Sequence, residues 1–157
     1  MRGIRGGGLN AIAFAVAAAT ATILADSSAQ AASVKDIFEK YKLLGTFSYD
    51  CTKPADKKNL YYVNRVVDAD HVERDEMTGP TTRSRVIMLD KAEELKANEI
   101  KFSGSIVDGP SSVTVVWHIE SNKMLQWEST HDGKPIVRNG VFLDTQYKMP
   151  YLNRCGN

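Results

Sequence analysis

The chain is poor in the residues that announce catalysis. It has two cysteines, Cys51 and Cys155, and no C-x-x-C, so the pattern of a thiol–disulfide oxidoreductase is missing. It has three histidines, and none of its serines lies in a G-x-S-x-G or comparable context. A nucleophile–histidine–acid triad therefore has no sequence support. Charge of one sign is also missing: 20 basic residues against 19 acidic ones leave a net charge of +1. A balanced, interleaved surface exerts no general attraction on nucleic acid or anionic membranes. There are no internal repeats, and past the N-terminal stretch there are no low-complexity tracts. No motif calls for a cofactor.

The one sustained apolar stretch, Leu9–Leu24, sits at the N-terminus behind Arg2 and Arg5 and before the first acid, Asp26. It ends in Ala29-Gln30-Ala31, the small-x-small pattern that signal peptidase accepts. Much of it is weakly apolar Ala and Thr, and it falls short of the roughly 20 apolar residues a spanning helix needs. Residues 1–31 are read as a cleaved secretory signal and 32–157 as a single domain, periplasmic or secreted, with no stable membrane insertion. Losing Arg2, Arg5 and Asp26 leaves the mature chain near neutral. In an oxidising compartment an isolated cysteine pair is expected to form one disulfide. Joining Cys51 to Cys155 closes a loop of about 100 residues, worth roughly 4–5 kcal/mol in the chain-entropy model.

What the mature chain does have is alternation. Ser33 with Asp36 forms a capping-box-like start, and Val34, Ile37, Phe38 and Tyr41 share a helical stripe. The pattern predicts a short helix terminated by Gly45. From Thr46 the period becomes two. Strands are predicted over Thr46–Cys51, Leu60–Val67, His71–Met77, Thr82–Leu89, Glu99–Val107, Val113–Glu120, Met124–Ser129 and Ile136–Phe142. Asp132-Gly133 and Ser121-Asn122 supply tight turns between alternating runs. Asp90–Asn98, rich in Ala, Glu, Leu and Lys, is predicted as a helical turn between two strands. The fold class is therefore mainly β: an antiparallel up-and-down meander of about eight strands after one short helix. Pairing Cys51 near the first strand with Cys155 at the chain end favours closure into a barrel, which removes both sheet edges. An open sheet or sandwich is the alternative.

Three groups of residues are candidates for function. Tyr61, Tyr62, Phe102, Trp117, Trp127 and Phe142 fall on predicted strands and are candidates to line an interior pocket. Alternation does not say which side of each strand faces inward, so a filled core is the competing reading. His71, Glu73 and Asp75 stand at i, i+2 and i+4 and share a strand face, a possible metal-ligand set. The competing reading is a solvated face paired with Arg65 and Arg74. His118 lies on the polar face beside Trp117, and His131 adjoins the Asp132-Gly133 turn. The segment Tyr147–Leu152 is apolar for a terminus and is expected to pack across the barrel mouth, held by Cys155.

The helix leading into Gly45-Thr46-Phe47, followed by such a meander, resembles the calycin-type barrels: lipocalins, avidins and small periplasmic protease inhibitors. Their strand one opens with G-x-W, and in lipocalins that Trp packs under an Arg from the last strand or just after it. The resemblance implies that Gly45 and Phe47 mark barrel closure and that Arg154 is the matching cation. The second lipocalin signature is absent, and the inhibitors place their disulfide differently. The chain is also similar to a group of short exported bacterial proteins with the same helix, a G-T-[FW] start, a following Cys and an L-N-x-C ending, here Leu152-Asn153-Arg154-Cys155. That similarity implies no activity. The expected function is non-enzymatic binding of a small, largely apolar molecule. The alternatives are a periplasmic inhibitor or interaction module with a filled core, partnered by another protein, and a metal-dependent enzyme using His71, Glu73 and Asp75.

Overall fold

In the computed structural model, which describes residues 32–156, ten strands form one antiparallel sheet that closes on itself. The residues read as a secretory signal lie outside the described part. The chain enters through α1 (Val34–Lys40), and Ser33 builds the predicted capping box. The Asp36 amide donates to Ser33 Oγ at 3.1 Å, and the Ser33 amide donates to Asp36 Oδ2 at 3.2 Å. The helix does not stop at Gly45 as expected. It ends earlier, where Lys42 takes a left-handed conformation (φ 54°). The Leu43 amide then donates to the Phe38 carbonyl at 2.7 Å and the Lys42 amide to that of Glu39 at 3.1 Å. This is a Schellman ending with lysine where glycine is usual. Leu43 and Phe38 share the core that pins it.

The strands are β1 (Gly45–Ser48), β2 (Tyr61–Val66), β3 (Val72–Met77), β4 (Arg83–Lys96), β5 (Glu99–Ile106), β6 (Ser112–Glu120), β7 (Lys123–His131), β8 (Lys134–Arg138), β9 (Val141–Phe142) and β10 (Leu152–Cys155). Neighbours from β1 to β7 pair in sequence order, and β10 inserts between β1 and β7 to complete an eight-stranded barrel. β8 and β9 extend from β7 outside that closure.

Two expectations about elements need correction. Asp90–Asn98 is not a helical turn, because β4 runs through it to Lys96 and pairs with β5 along Lys91–Lys96. The local preference for helix is overridden by a continuous cross-strand ladder. Two register shifts, at Leu89/Lys91 and Glu94/Lys96, bend this long strand as bulges do. The first brings Gly104 so close to β4 that a Cβ there would lie 1.9 Å from the Met88 carbonyl oxygen. The closing strand is not Ile136–Phe142, which divides into β8 and β9 around the left-handed residues Asn139 and Gly140. It is the chain end itself, Leu152–Cys155. Cys51 and Cys155 are disulfide-bonded with their Cα atoms 5.2 Å apart, which ties β10 to the segment after β1.

α1 plugs one end of the barrel. Val34, Ile37 and Phe38 are buried with Phe47, Phe102, Trp117 and Leu152. Phe38 sits 4.8 Å from the Phe102 ring and 6.0 Å from that of Trp117. Outside this plug, the Lys40 ammonium pairs with Glu94 on β4 at 2.7 Å, and the Tyr41 hydroxyl donates to the same carboxylate at 3.1 Å. A second, smaller cluster of Leu125, Val137 and Met149, flanked by Trp127 and Tyr151, packs where β8, β9 and the tail cross β7. No helix among the described residues is long and apolar enough to cross a membrane.

Candidate functional site

The barrel is not filled. A cavity of about 370 Å³ occupies its interior, toward the end away from α1. That is the volume of about a dozen water molecules. The strand positions explain its place. On β3, Val72, Arg74 and Glu76 point inward, and on β6 so do Val113, Val115 and Trp117. Phe38 of α1 reaches Trp117, and no residue of the helix lines the cavity. Beyond Trp117 the interior widens between smaller side chains, and Tyr49, Glu76, Arg85 and His131 lie along the mouth. Met149, from the segment before β10, borders the same opening. The tail thus flanks the mouth and then enters the barrel wall as β10.

The floor of the cavity holds a buried cation. Arg74 is 6 % exposed. Its guanidinium carbon lies 4.3 Å from the centre of the Tyr62 ring and 4.6 Å from that of Trp117. Such cation–ring contacts strengthen as they are desolvated. Arg74 Nη1 donates to Asn64 Oδ1 at 2.9 Å, and Asn64 Nδ2 donates to the Leu43 carbonyl at 2.7 Å. Asn64 and Arg74 face each other directly across β2 and β3. The turn after α1 therefore fixes the amide that fixes the guanidinium.

No described carboxylate stands within ion-pair distance of Arg74. Glu76, the nearest acid on its own strand face, is engaged at the rim, where Ser84 Oγ donates to its Oε1 at 2.8 Å. Burial pulls the Arg74 guanidinium down to about 10, so it remains charged at neutral pH. Burial also pushes the Tyr62 phenol well above its ordinary value and raises that of Tyr49, while the charge of Arg74 acts in the opposite direction on both. The floor is a neutral-aromatic, cationic surface.

Of the aromatic residues singled out from the sequence, Tyr62, Trp117 and Phe142 line the cavity. Phe102 lies beneath it, in the packed core with α1. Tyr61 faces outward, where its hydroxyl donates to the Lys53 carbonyl at 2.6 Å. Trp127 is also on the outer face, stacked on His118 with ring centres 4.4 Å apart. A register shift explains this last placement. Trp117 pairs with Gln126, but Val116 pairs with Glu128, so the parity of β7 changes in between. Gln126 and Ser129 face the cavity instead, linked by a 3.0 Å hydrogen bond.

His71, Glu73 and Asp75 are engaged by other partners, with Arg65 shared between the two carboxylates of Glu73 and Asp75. His71 Nδ1 lies 2.8 Å from Asp68 Oδ1. Glu73 accepts from Arg65 at 2.6 Å, and Asp75 is bonded to Arg65 and lies 3.3 Å from Arg83 Nε. Among the described residues, no three His, Cys, Asp or Glu side chains are placed to share a metal ion. Nor is this face wholly solvated, since Asp75 is 1 % exposed beneath the two arginines. Arg74 is no partner here, because alternation turns it to the opposite side of β3.

At the plugged end, Phe47 is buried and lies directly opposite Arg154 in the β1–β10 pairing. Arg154 Nη1 donates to the Lys42 carbonyl at 3.2 Å, beside Gly45 (φ 102°). Among the described residues the arginine stacked on aromatic rings is Arg74, not Arg154. Sequence reasoning missed Arg74 and Tyr49 as cavity residues and Asn64 as the anchor of Arg74. The available signal was the parity of β3: an arginine in register with Val72 on the side opposite two carboxylates. No family model, curated protein or solved structure matches this chain.

Proposed function

We propose that this protein is an exported carrier or sensor that holds one small molecule inside its barrel. The observation that carries the reading is the cavity, which opens at one end and is stopped at the other by α1. A concave pocket of this size, in which apolar and aromatic side chains stand beside polar ones, is a usual form of small-molecule site. The Cys51–Cys155 disulfide supports an oxidising compartment outside the cytoplasm. An interaction module with a filled barrel would have no use for such a space.

The test is binding of the neutral apolar dye N-phenylnaphthylamine to the folded protein. Enhanced dye emission in the wild type, lost when Val113→Trp fills the space near the mouth, supports the reading. Equal emission from both proteins, or none from either, contradicts it.

A further inference from the structure

The cavity floor also says what kind of molecule fits. Three observations concern Arg74. It is more than nine-tenths buried at the bottom of the cavity. Among the described residues its guanidinium has one hydrogen-bond acceptor, Asn64 Oδ1, although arginine carries five N–H donors. The Tyr62 and Trp117 rings cover the guanidinium carbon, but a ring face does not replace an oxygen acceptor for the in-plane N–H groups.

A buried charge is ordinarily paired, since an uncompensated one costs several kcal/mol. Among the described residues the pairing is absent while the positioning is complete. Asn64, anchored on the Leu43 carbonyl, orients the fork, and the two rings hold it in place. The charge balance of the cavity agrees. Arg74 and Arg85 face it against the single carboxylate of Glu76, which Ser84 engages at the rim. One positive charge is left over.

Above Arg74 the wall has an apolar stretch, Leu60, Ile87, Val113, Val115 and Met149, beside the polar Gln126, Ser129, Thr130 and His131. An inorganic anion would use the cation and leave this wall in contact with water. An uncharged hydrocarbon would use the wall and leave the cation unpaired. A molecule with a carboxylate at one end and a compact apolar body uses both.

Resting on the binding-barrel reading above, we propose that the ligand is a small organic acid whose carboxylate docks on Arg74. Its apolar body lies along Val113, Val115 and Ile87 toward the mouth. Arginine meets carboxylates through two parallel N–H···O bonds, a geometry that a lysine ammonium does not offer.

The experiment compares acids with alcohols of the same body, octanoate with octanol and phenylacetate with phenethyl alcohol, by calorimetric titration. Wild-type protein is expected to bind at least one acid about 10- to 100-fold more tightly than its alcohol, the range for a charge-assisted contact. Arg74→Met is expected to erase that difference by weakening the acid far more than the alcohol. Arg74→Lys is expected to keep only part of it. Equal binding of acid and alcohol by the unaltered protein overturns the inference whatever the variants do, and leaves the binding barrel standing. Inorganic phosphate binding as tightly as octanoate also overturns it, because the apolar wall would then contribute nothing. If octanoate, octanol and the neutral dye all fail to bind, the barrel reading falls and this inference falls with it.

Discussion

Asn64 connects Arg74 to the turn after the helix: it accepts from Arg74 Nη1 at 2.9 Å and donates to the Leu43 carbonyl at 2.7 Å. The two residues are direct cross-strand partners on β2 and β3, and both are buried. Replacing Asn64 with Ala strands a buried carbonyl and a buried guanidinium N–H at once. Unsatisfied buried groups cost about 1–3 kcal/mol each. Asn64→Ala is therefore expected to lower stability by about 2 kcal/mol or more. Urea unfolding checks this as a fall in midpoint without a change in slope. An unchanged midpoint would contradict a stabilising role for the bridge.

The disulfide has a particular task. β10 pairs with β1 through three residues and with β7 through two, a small ladder for the strand that closes the barrel. Reduction, or the double change Cys51→Ala with Cys155→Ala, is expected to cost up to about 4–5 kcal/mol for a loop of this length. Hydrogen exchange should show protection lost first at Leu152–Cys155. Loss spread evenly over all strands would contradict the assignment of β10 as the weak seam.

Gly104 marks the bend in β4. A Cβ at that position would sit 1.9 Å from the Met88 carbonyl oxygen and 2.9 Å from Leu89 Cα, so the backbone of β4 must move to admit it. Gly104→Ala is expected to destabilise by about 1–3 kcal/mol, the usual cost of overpacking. Thermal unfolding measures it. Gly109→Ala, where an added Cβ meets nothing within 4 Å, serves as the control.

The helix plug carries a pH signature. The Lys40 ammonium bonded to Glu94, with Tyr41 beside it, holds the Glu94 carboxyl below its ordinary value of 4.5. A depressed carboxyl pKa gives stability that is fully present above the unfolded value and lost as pH falls through the folded one. Lys40 is raised for the same reason, so its contribution is present below 10.5 and lost as pH rises through the higher folded value. Glu94→Gln is expected to flatten the acid limb of the stability profile below about pH 4.5 and to remove the alkaline contribution of Lys40. Urea midpoints across the pH range read both limbs. Both groups are solvent-exposed, and added salt should shrink the difference between wild type and variant.

The two tryptophans separate inside from outside. Trp117 lies on the cavity floor against Arg74, while Trp127 stacks on His118 across the outer face. Ligand entering the barrel is expected to change Trp117 emission and leave that of Trp127 unaltered. Trp127→Phe should retain the whole response and Trp117→Phe should lose it. The reverse result would place the bound molecule on the outer surface.

How much of this was legible in the sequence depended on whether one side of a strand was plainly apolar. Val113, Val115, Trp117 and Ile119 alternate with Thr114, Val116, His118 and Glu120, which are polar but for the buried Val116, and that reading of β6 matches the observed faces. β3 carries polar residues on both faces, so periodicity separated Arg74 from Glu73 and Asp75 without saying which set lay inside. Trp127 shows a different limit. Alternation alone aligns Leu125, Trp127 and Ser129, but the shift in β6–β7 pairing reverses the parity, leaving Leu125 and Trp127 outside and Ser129 inside. A bulge is a property of two strands together, and one strand's sequence does not contain it. The same holds for β4, where pairing with β5 overrode the helical preference of Asp90–Asn98. Barrel closure was legible through the cysteines, although the strand that closes it was expected one segment too early.

The most direct test of the account is native mass spectrometry of the protein purified from its source cells without denaturation. A discrete extra mass, released on unfolding and behaving as an organic acid in negative-ion mode, is the predicted result. A bare protein mass that persists after incubation with extract of the source cells would contradict the claim that this barrel exists to hold a small molecule.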